Sequence, residues 1–269
     1  MTLTVGSLFS GIGGLDLGLE RAGMTVKWQS EIDPYACQVL KKHWPDIPNL
    51  GDIKTVDWST VEPVDLIAGG YPCQPFSTAG KRQGENDPRH LWPYFRNAIS
   101  AIRPRFALLE NVRGHLTMGG TTVIGDLTSI GYDCEWRLIS AASVGAHHRR
   151  DRIIIVAYPQ GQYSNGKFNQ PRNCKQSETI SEFGNGCGQK NVADTSSGRR
   201  ARRGFTFEGD NEEVRRNALR SAQYWQTEPD MGRMANGVSR RVDRLKGLGN
   251  AVVPQVAEYV GRLILQSDT

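Results

Sequence analysis

An α/β domain on a mixed, mostly parallel sheet is predicted by three features of this chain. Short apolar runs of strand length alternate with stretches of helical spacing. The first such run, Val5-Gly6-Ser7-Leu8-Phe9, empties into a glycine turn, Ser10-Gly11-Ile12-Gly13-Gly14, and then into a helix from Leu15 that stops at Gly23. Strand, glycine loop and helix open a nucleotide-binding βαβ unit, in which missing Cβ atoms let a ligand approach the backbone. A third run, Val64-Asp65-Leu66-Ile67-Ala68, ends abruptly at Gly69-Gly70-Tyr71-Pro72-Cys73-Gln74-Pro75-Phe76-Ser77. Proline fixes its own φ and pushes the preceding residue out of the α region, so this exit continues neither as strand nor as helix. Cys73 therefore sits in a stiff loop just past a strand end, where open α/β sheets place their ligands.

The remaining elements follow in order. Thr25 to Ser30 reads as a second strand ending at Glu31, and Ile32-Asp33-Pro34 opens a helix from about Tyr35 to His43. An acid ending the second strand is where ribose hydroxyls are held in such folds. Gly51-Asp52-Ile53 forms a further loop; Glu31 and Asp52, taken singly, read equally as helix caps or surface acids. The polar stretch from Thr78 to Arg89 resembles a lid. His90 to Ile102 reads as a helix, and Arg105 to Leu109 as a buried strand ending in Glu110-Asn111-Val112. Tyr132 to Leu138 is an edge strand. His147-His148-Arg149-Arg150-Asp151-Arg152 runs into the β-branched strand Ile153 to Ala157. Gln255 to Leu265, apolar at Val256, Val260, Leu263 and Ile264, is a closing helix that should pack back on the sheet.

Composition narrows the function classes. No apolar run approaches the ~20 residues that span a bilayer. Met1-Thr2-Leu3-Thr4-Val5 lacks a signal peptide's charged and apolar regions. Five cysteines without a CxxC pair argue against a disulfide framework and a zinc site, and for a reduced cytoplasmic setting with no metal. The net charge of +5 is unevenly spread. Tyr158 to Lys246 carries 16 Lys and Arg against 10 Asp and Glu, leaving 17 against 18 elsewhere. That part is also rich in Gly, Asn, Gln and Ser and contains Arg199-Arg200-Ala201-Arg202-Arg203. It reads either as a disordered basic linker or as a surface that orders on a polyanion.

Several blocks, taken together, resemble the cytosine-C5 DNA methyltransferases over nearly the full length. They are Phe9 to Gly14, Glu31, Gly51-Asp52-Ile53, Gly70 to Ser77, Glu110-Asn111-Val112, Arg149 to Arg152, and Gly249-Asn250-Ala251-Val252-Val253-Pro254. The resemblance implies a Rossmann-like S-adenosylmethionine-dependent methyltransferase domain, residues 1–157 and 241–269, with a small loop-rich target-recognition lobe at 158–240. It implies that Cys73 adds to C6 of a cytosine flipped out of double-stranded DNA, that Glu110 protonates N3, and that Arg152 holds O2 with support from Arg150. S-adenosylmethionine would lie with its adenosine against Phe9, Glu31, Ile32 and Asp52 and its methionine end against Gly11, Gly13 and Gly14. Ser10, Ile12 and Ile53 would also bind it, and Pro72, Leu91, Asn250 and Val252 would close the pocket. A monomer is expected, with a cognate restriction endonuclease as a functional rather than physical partner.

Two positions depart from the family pattern: His148 stands in place of a glutamine and Asp151 in place of a glutamate. A tRNA cytosine methyltransferase shares the catalytic blocks, but the Cys-Phe-Thr motif of those relatives is absent here. A catalytically silent DNA-binding relative would not be expected to retain Cys73, Glu110 and Arg152.

Overall fold

The structure, a computed structural model, describes residues 2–72, 91–117, 119–161 and 240–268. Its centre is a six-stranded sheet ordered β2-β1-β3-β4-β6-β5. In chain order the strands are β1 (Thr4–Leu8), β2 (Thr25–Ser30), β3 (Leu66–Gly69), β4 (Phe106–Val112), β5 (Tyr132–Ile139) and β6 (Arg152–Pro159). β1 pairs in parallel with both β2 and β3, and β3 with β4. β6 runs antiparallel between β4 and β5, which makes β5 the edge strand expected from its sequence. The first connection carries the chain from β1 to one side and the next places β3 on the other. The carboxyl ends of β1 and β3 therefore flank a topological switch point, the crevice in which such sheets bind ligands.

Helices cover both faces. On one lie α1 (Gly14–Ala22) and the closing helix α6 (Pro254–Ser267); on the other lie α3 (Trp92–Ile102) and α4 (Gly120–Ser129). Strand alternation supplies each face with its own core. Val5, Leu66, Leu108, Ile154 and Val156 meet Leu15, Leu19, Val256 and Val260 on the first face. Ile67, Leu109, Ile153 and Ile155 meet Phe95, Ile99, Val123 and Leu127 on the second. The closing helix thus shares a core with the first strand, and it also sits directly on α1. A Cβ at Gly18 would lie 2.3 Å from the Pro254 carbonyl oxygen, so only glycine permits this approach.

Two elements depart from the sequence expectation. Arg241–Asn250 forms a helix, α5, although Gly247 and Gly249 lower its propensity. Tertiary contacts support it: Lys246 Nζ lies 2.7 Å from Asp33 Oδ2, Arg240 bonds Gln38, and Gly247 packs beside Ile12 and Tyr35. The segment Arg113 to Gly131, to which no element was assigned from sequence, contains a 3₁₀ turn (Arg113–Thr117) and α4. β6 also runs to Pro159, just past the change in composition at Tyr158. Among the described residues, no helix is long and apolar enough to cross a membrane.

One polar group is buried beneath the glycine turn. Asp16 is fully buried on α1, where Ser7 Oγ (3.0 Å) and Gln29 Nε2 (2.8 Å) donate to its carboxylate. Ser10 Oγ donates in turn to Ser7 Oγ at 2.9 Å, so the network reaches the turn itself. Burial pushes the Asp16 carboxyl up to about 6, against the two hydrogen bonds that favour its charged form. A carboxyl raised on folding stabilises the native state most below its unfolded value, and that contribution is lost as pH rises through the folded value. From 3.8 to about 6, this corresponds to roughly 3 kcal/mol. Asp16→Asn should therefore flatten the fall in thermal stability between about pH 4 and 6. Parallel pH profiles of Tm for the two proteins would contradict the assignment.

Candidate functional site

The carboxyl ends of the parallel strands bring the expected loops together. Phe9 leaves β1 with a positive φ of 53° and rests its ring 6.0 Å from that of Phe95. The turn then folds under Glu31, whose Oε2 accepts from the Gly11 N–H at 2.7 Å. Glu31 Oε1 accepts from the N–H groups of Ile32 and Asp33, each at 2.8 Å. Three of the four lone-pair positions of a carboxylate are thereby used, leaving room for one further donor. Beside it Ile32 is 63% exposed, an aliphatic surface next to an acid. Asn49 Oδ1 accepts from Glu31 N–H and Gly51 N–H, which places the Asp52 loop against the end of β2. Asp52 Oδ1 caps Lys54 N–H at 3.0 Å, and Ile53 is buried beneath.

The segment after α5 forms a wall against the glycine turn. Val252 is buried against the glycine turn, so that a Cβ on Gly14 would lie 2.3 Å from the Val252 carbonyl oxygen. Asn250 is exposed at the rim. Arg150 secures this wall: its Nη2 donates to the carbonyls of Gly249 (2.6 Å) and Ala251 (2.7 Å). Its backbone is left-handed, φ 36°, which a non-glycine residue rarely adopts. Acidic acceptors, an exposed aliphatic side chain and close-packed glycines suit an adenosine-bearing, positively charged sulfonium. The described residues fit S-adenosylmethionine.

A second group lies between β4 and β6. Because these strands are antiparallel, Val112 pairs with Arg152 and Glu110 with Ile154, so Glu110 and Arg152 are diagonal neighbours on one face. Arg152 Nε reaches Glu110 Oε1 at 2.7 Å, with both side chains largely buried. Burial raises the Glu110 carboxyl above its ordinary range, and the nearby Arg152 and Arg150 charges only partly oppose that rise. Gly70, just past β3, faces the same carboxyl: a Cβ there would stand 2.7 Å from Glu110 Oε2. Asp151 lies between Arg113 (3.6 Å) and Arg149 (3.5 Å), both well exposed. Its shorter chain still serves as an acid that holds flanking guanidinium groups, and His148 is exposed.

Tyr71 follows Gly70 and is held from three sides. Asn111 Nδ2 donates to its carbonyl at 3.1 Å, and its hydroxyl lies 2.6 Å from His115 Nε2. Its ring packs against Trp92 and Phe95, with centroids 5.5 and 5.9 Å away. Burial lowers the His115 pKa to about 4, so its imidazole is neutral at physiological pH.

A family model described as C-5 cytosine-specific DNA methylase matches residues 3–196, more than half of the chain. The chain belongs to that family. Among its curated relatives, the Type II methyltransferase M.NgoMIV of Neisseria gonorrhoeae is 36% identical over 189 residues, 68% of this chain and 60% of that protein. M.Eco47II of Escherichia coli, also a Type II methyltransferase, is 42% identical over 162 residues, 57% of this chain and 39% of that protein. The chain thus matches less than two thirds of the length of either relative. A prophage-encoded E. coli protein described as a DNA modification methyltransferase superposes with a TM-score of 0.61 at 20% identity, covering 98% of this chain and 99% of that one. The S. pombe Dnmt2 methyltransferase gives 0.60 at 18% identity, covering 98% of each chain. At these identities the two structures establish a shared methyltransferase fold.

Within this methylase fold, Phe9, Ser10, Gly11, Ile12, Gly13 and Gly14 follow β1, Glu31 and Ile32 follow β2, the Asp52–Ile53 loop is tied to Glu31 through Asn49, and Val252 lies on Gly14, with Asn250 exposed two residues before it. Glu110 and Arg152 pair between β4 and β6, while Arg150 braces the segment after α5. Pro72 is exposed at the exit from β3, and Leu91 immediately precedes α3. Cys73 and the expected lid, Thr78 to Arg89, lie outside the described residues, as does nearly all of the expected recognition lobe. Asp16, Tyr71 and His115 were not singled out from sequence. Asp16 carried a signal, an acid inside the buried stripe of α1, whereas His115 had none. Gly70→Ala should displace the end of the Glu110 side chain from Arg152 and lower Tm modestly, since the terminus can yield but a largely buried ion pair is lost. The lost ion pair should raise the Glu110 pKa further, read by carbon-13 NMR titration of its carboxyl. An unchanged titration would contradict this placement.

Proposed function

We propose that this chain is a DNA (cytosine-5-)-methyltransferase that acts on a cytosine rotated out of duplex DNA, through a covalent bond between Cys73 and C6. The observation that carries this reading is a desolvated carboxyl, Glu110, paired with Arg152 and lying against Gly70, three residues before a cysteine.

Cytosine C5 is too electron-poor to attack a methyl group unaided. Addition of the Cys73 thiolate at C6 breaks the ring conjugation and makes C5 nucleophilic. Charge then moves toward N3, where Glu110 donates a proton; burial, which raises its carboxyl, favours the protonated form that this step needs. Arg152 stabilises O2 with N–H groups not used on Glu110, and keeps the carboxyl oriented. S-adenosylmethionine, held by the loops after β1 and β2, supplies an electrophilic methyl group when bound. Once C5 is methylated, a base removes its proton, Cys73 leaves by elimination, and Glu110 regains the proton from N3. Residues 1–157 and 241–269 would form this catalytic unit, as the packing of α6 on α1 supports. The basic stretch at 158–240 would contact DNA phosphates and base edges. The Type II relatives support a functional pairing with a restriction endonuclease.

The test is transfer of labelled methyl from S-adenosylmethionine to duplex DNA, with tRNA as the competing acceptor. Cys73→Ser should abolish transfer without lowering Tm, and Glu110→Gln should slow it by roughly 10²–10⁴-fold. Wild-type turnover in Cys73→Ser, or transfer to tRNA alone, would overturn the reading.

A further inference from the structure

The tethering of Tyr71 has a consequence for the spacing of the reacting groups. Asn111, which holds the Tyr71 carbonyl, is the residue after Glu110, and His115, which holds its hydroxyl, lies four residues beyond Asn111 in the adjoining 3₁₀ turn. Cys73 is two residues after Tyr71. The segment bearing the acid therefore grips the segment bearing the thiol at two points, one on the backbone and one at the far end of a side chain. A backbone bond alone leaves Tyr71 free to rotate about its own dihedrals. The second bond, at the tip of a buried aromatic ring, removes that freedom.

We propose that His115 is a positioning residue which, through the Tyr71 hydroxyl, fixes the Tyr71–Pro72 exit from β3, immediately before Cys73, relative to Glu110. This rests on the proposed methyl transfer and adds a role for a residue that touches neither substrate nor cofactor.

Several features support a function for His115 beyond filling space. The residue is only 3% exposed and its Nδ1 has no hydrogen-bond partner among the described residues, so an aliphatic residue would avoid leaving that nitrogen unsatisfied there. What the imidazole gains is the bond of 2.6 Å to Tyr71, which either neutral tautomer can form. The two rings also meet edge to face, with centroids 5.3 Å apart, so ring packing and the hydrogen bond hold the same pair of groups. Burial keeps the imidazole neutral, so the contact does not titrate across the physiological range. Gly70 completes the arrangement, because its lack of a side chain lets the Tyr71 backbone pass directly beside the Glu110 carboxyl.

The test compares full-length wild type, Tyr71→Phe, His115→Leu, the double variant and His115→Gln. Each is measured for Tm, kcat, the Kd of S-adenosylmethionine, and the rate of Cys73 alkylation by iodoacetamide. Tyr71→Phe removes one oxygen atom and leaves His115 Nε2 unsatisfied, so Tm should fall modestly while the protein stays folded at the assay temperature. It should lower kcat roughly tenfold or more, as displacement of reacting groups by a fraction of an ångström does, and change the Cys73 alkylation rate. The Kd of S-adenosylmethionine should stay unchanged. His115→Leu should lower kcat by a similar factor, the double variant should be no worse than either single one, and His115→Gln should recover most of the loss. Wild-type kcat in Tyr71→Phe, or multiplicative losses in the double variant, would overturn the positioning role. A wild-type protein that methylates no DNA would instead overturn the proposed function on which it rests.

Discussion

Because β6 returns antiparallel beside β4, the beginning of one strand and the end of the other meet at the same edge of the sheet. That register puts Arg152 diagonally across from Glu110 and leaves their ion pair shielded from water. In a parallel arrangement the start of β6 would lie at the opposite edge, far from the ends of β1, β2 and β3. The remaining features of the site depend on this meeting. Arg150, two residues before Arg152, can reach the carbonyls of the closing segment, and Asp151 can hold Arg113 and Arg149 on either side. The proposed chemistry draws on the same shielding, since a carboxyl in water would give up its proton well below neutral pH.

Close backbone approach is the second constraint. Gly14 lets the closing segment lie on the glycine turn, Gly18 lets α6 lie on α1, and Gly70 lets the exit from β3 pass the Glu110 carboxyl. At Gly14 and Gly18 the neighbour is backbone, so a side chain would separate two elements, whereas at Gly70 it is the end of the Glu110 side chain, which would have to move away. The C-terminal elements thereby join the core begun by the first strand, although much of the chain lies between them.

The sheet was readable from sequence because its strands are short apolar runs punctuated by Gly and Pro, and periodicity reports that directly. The glycine turn, Glu31 and the Glu110 segment were likewise visible as strand ends, and their convergence follows once the strands are parallel. α5 was not visible: its glycines and exposed Val242, Leu245 and Leu248 give no amphipathic stripe, and contacts to α2 (Pro34–His43) hold it. The tethering by His115 was also hidden, because nothing in the spacing from Tyr71 to His115 encodes a contact formed only after folding. Asp16 was the intermediate case, an acid among buried helix positions whose partners, Ser7 and Gln29, come from two other elements.

The central claim is the proposal that Cys73, three residues after the Gly70 that lies against Glu110, is the nucleophile. Incubating the protein with S-adenosylmethionine and duplex DNA containing 5-fluorocytosine, then digesting the trapped complex and sequencing the modified peptide by mass spectrometry, tests it directly. The account predicts a single nucleotide-bearing peptide modified at Cys73, with its C5 methylated. Modification at Cys37 or Cys134, or methylated DNA with no trapped peptide, would contradict it.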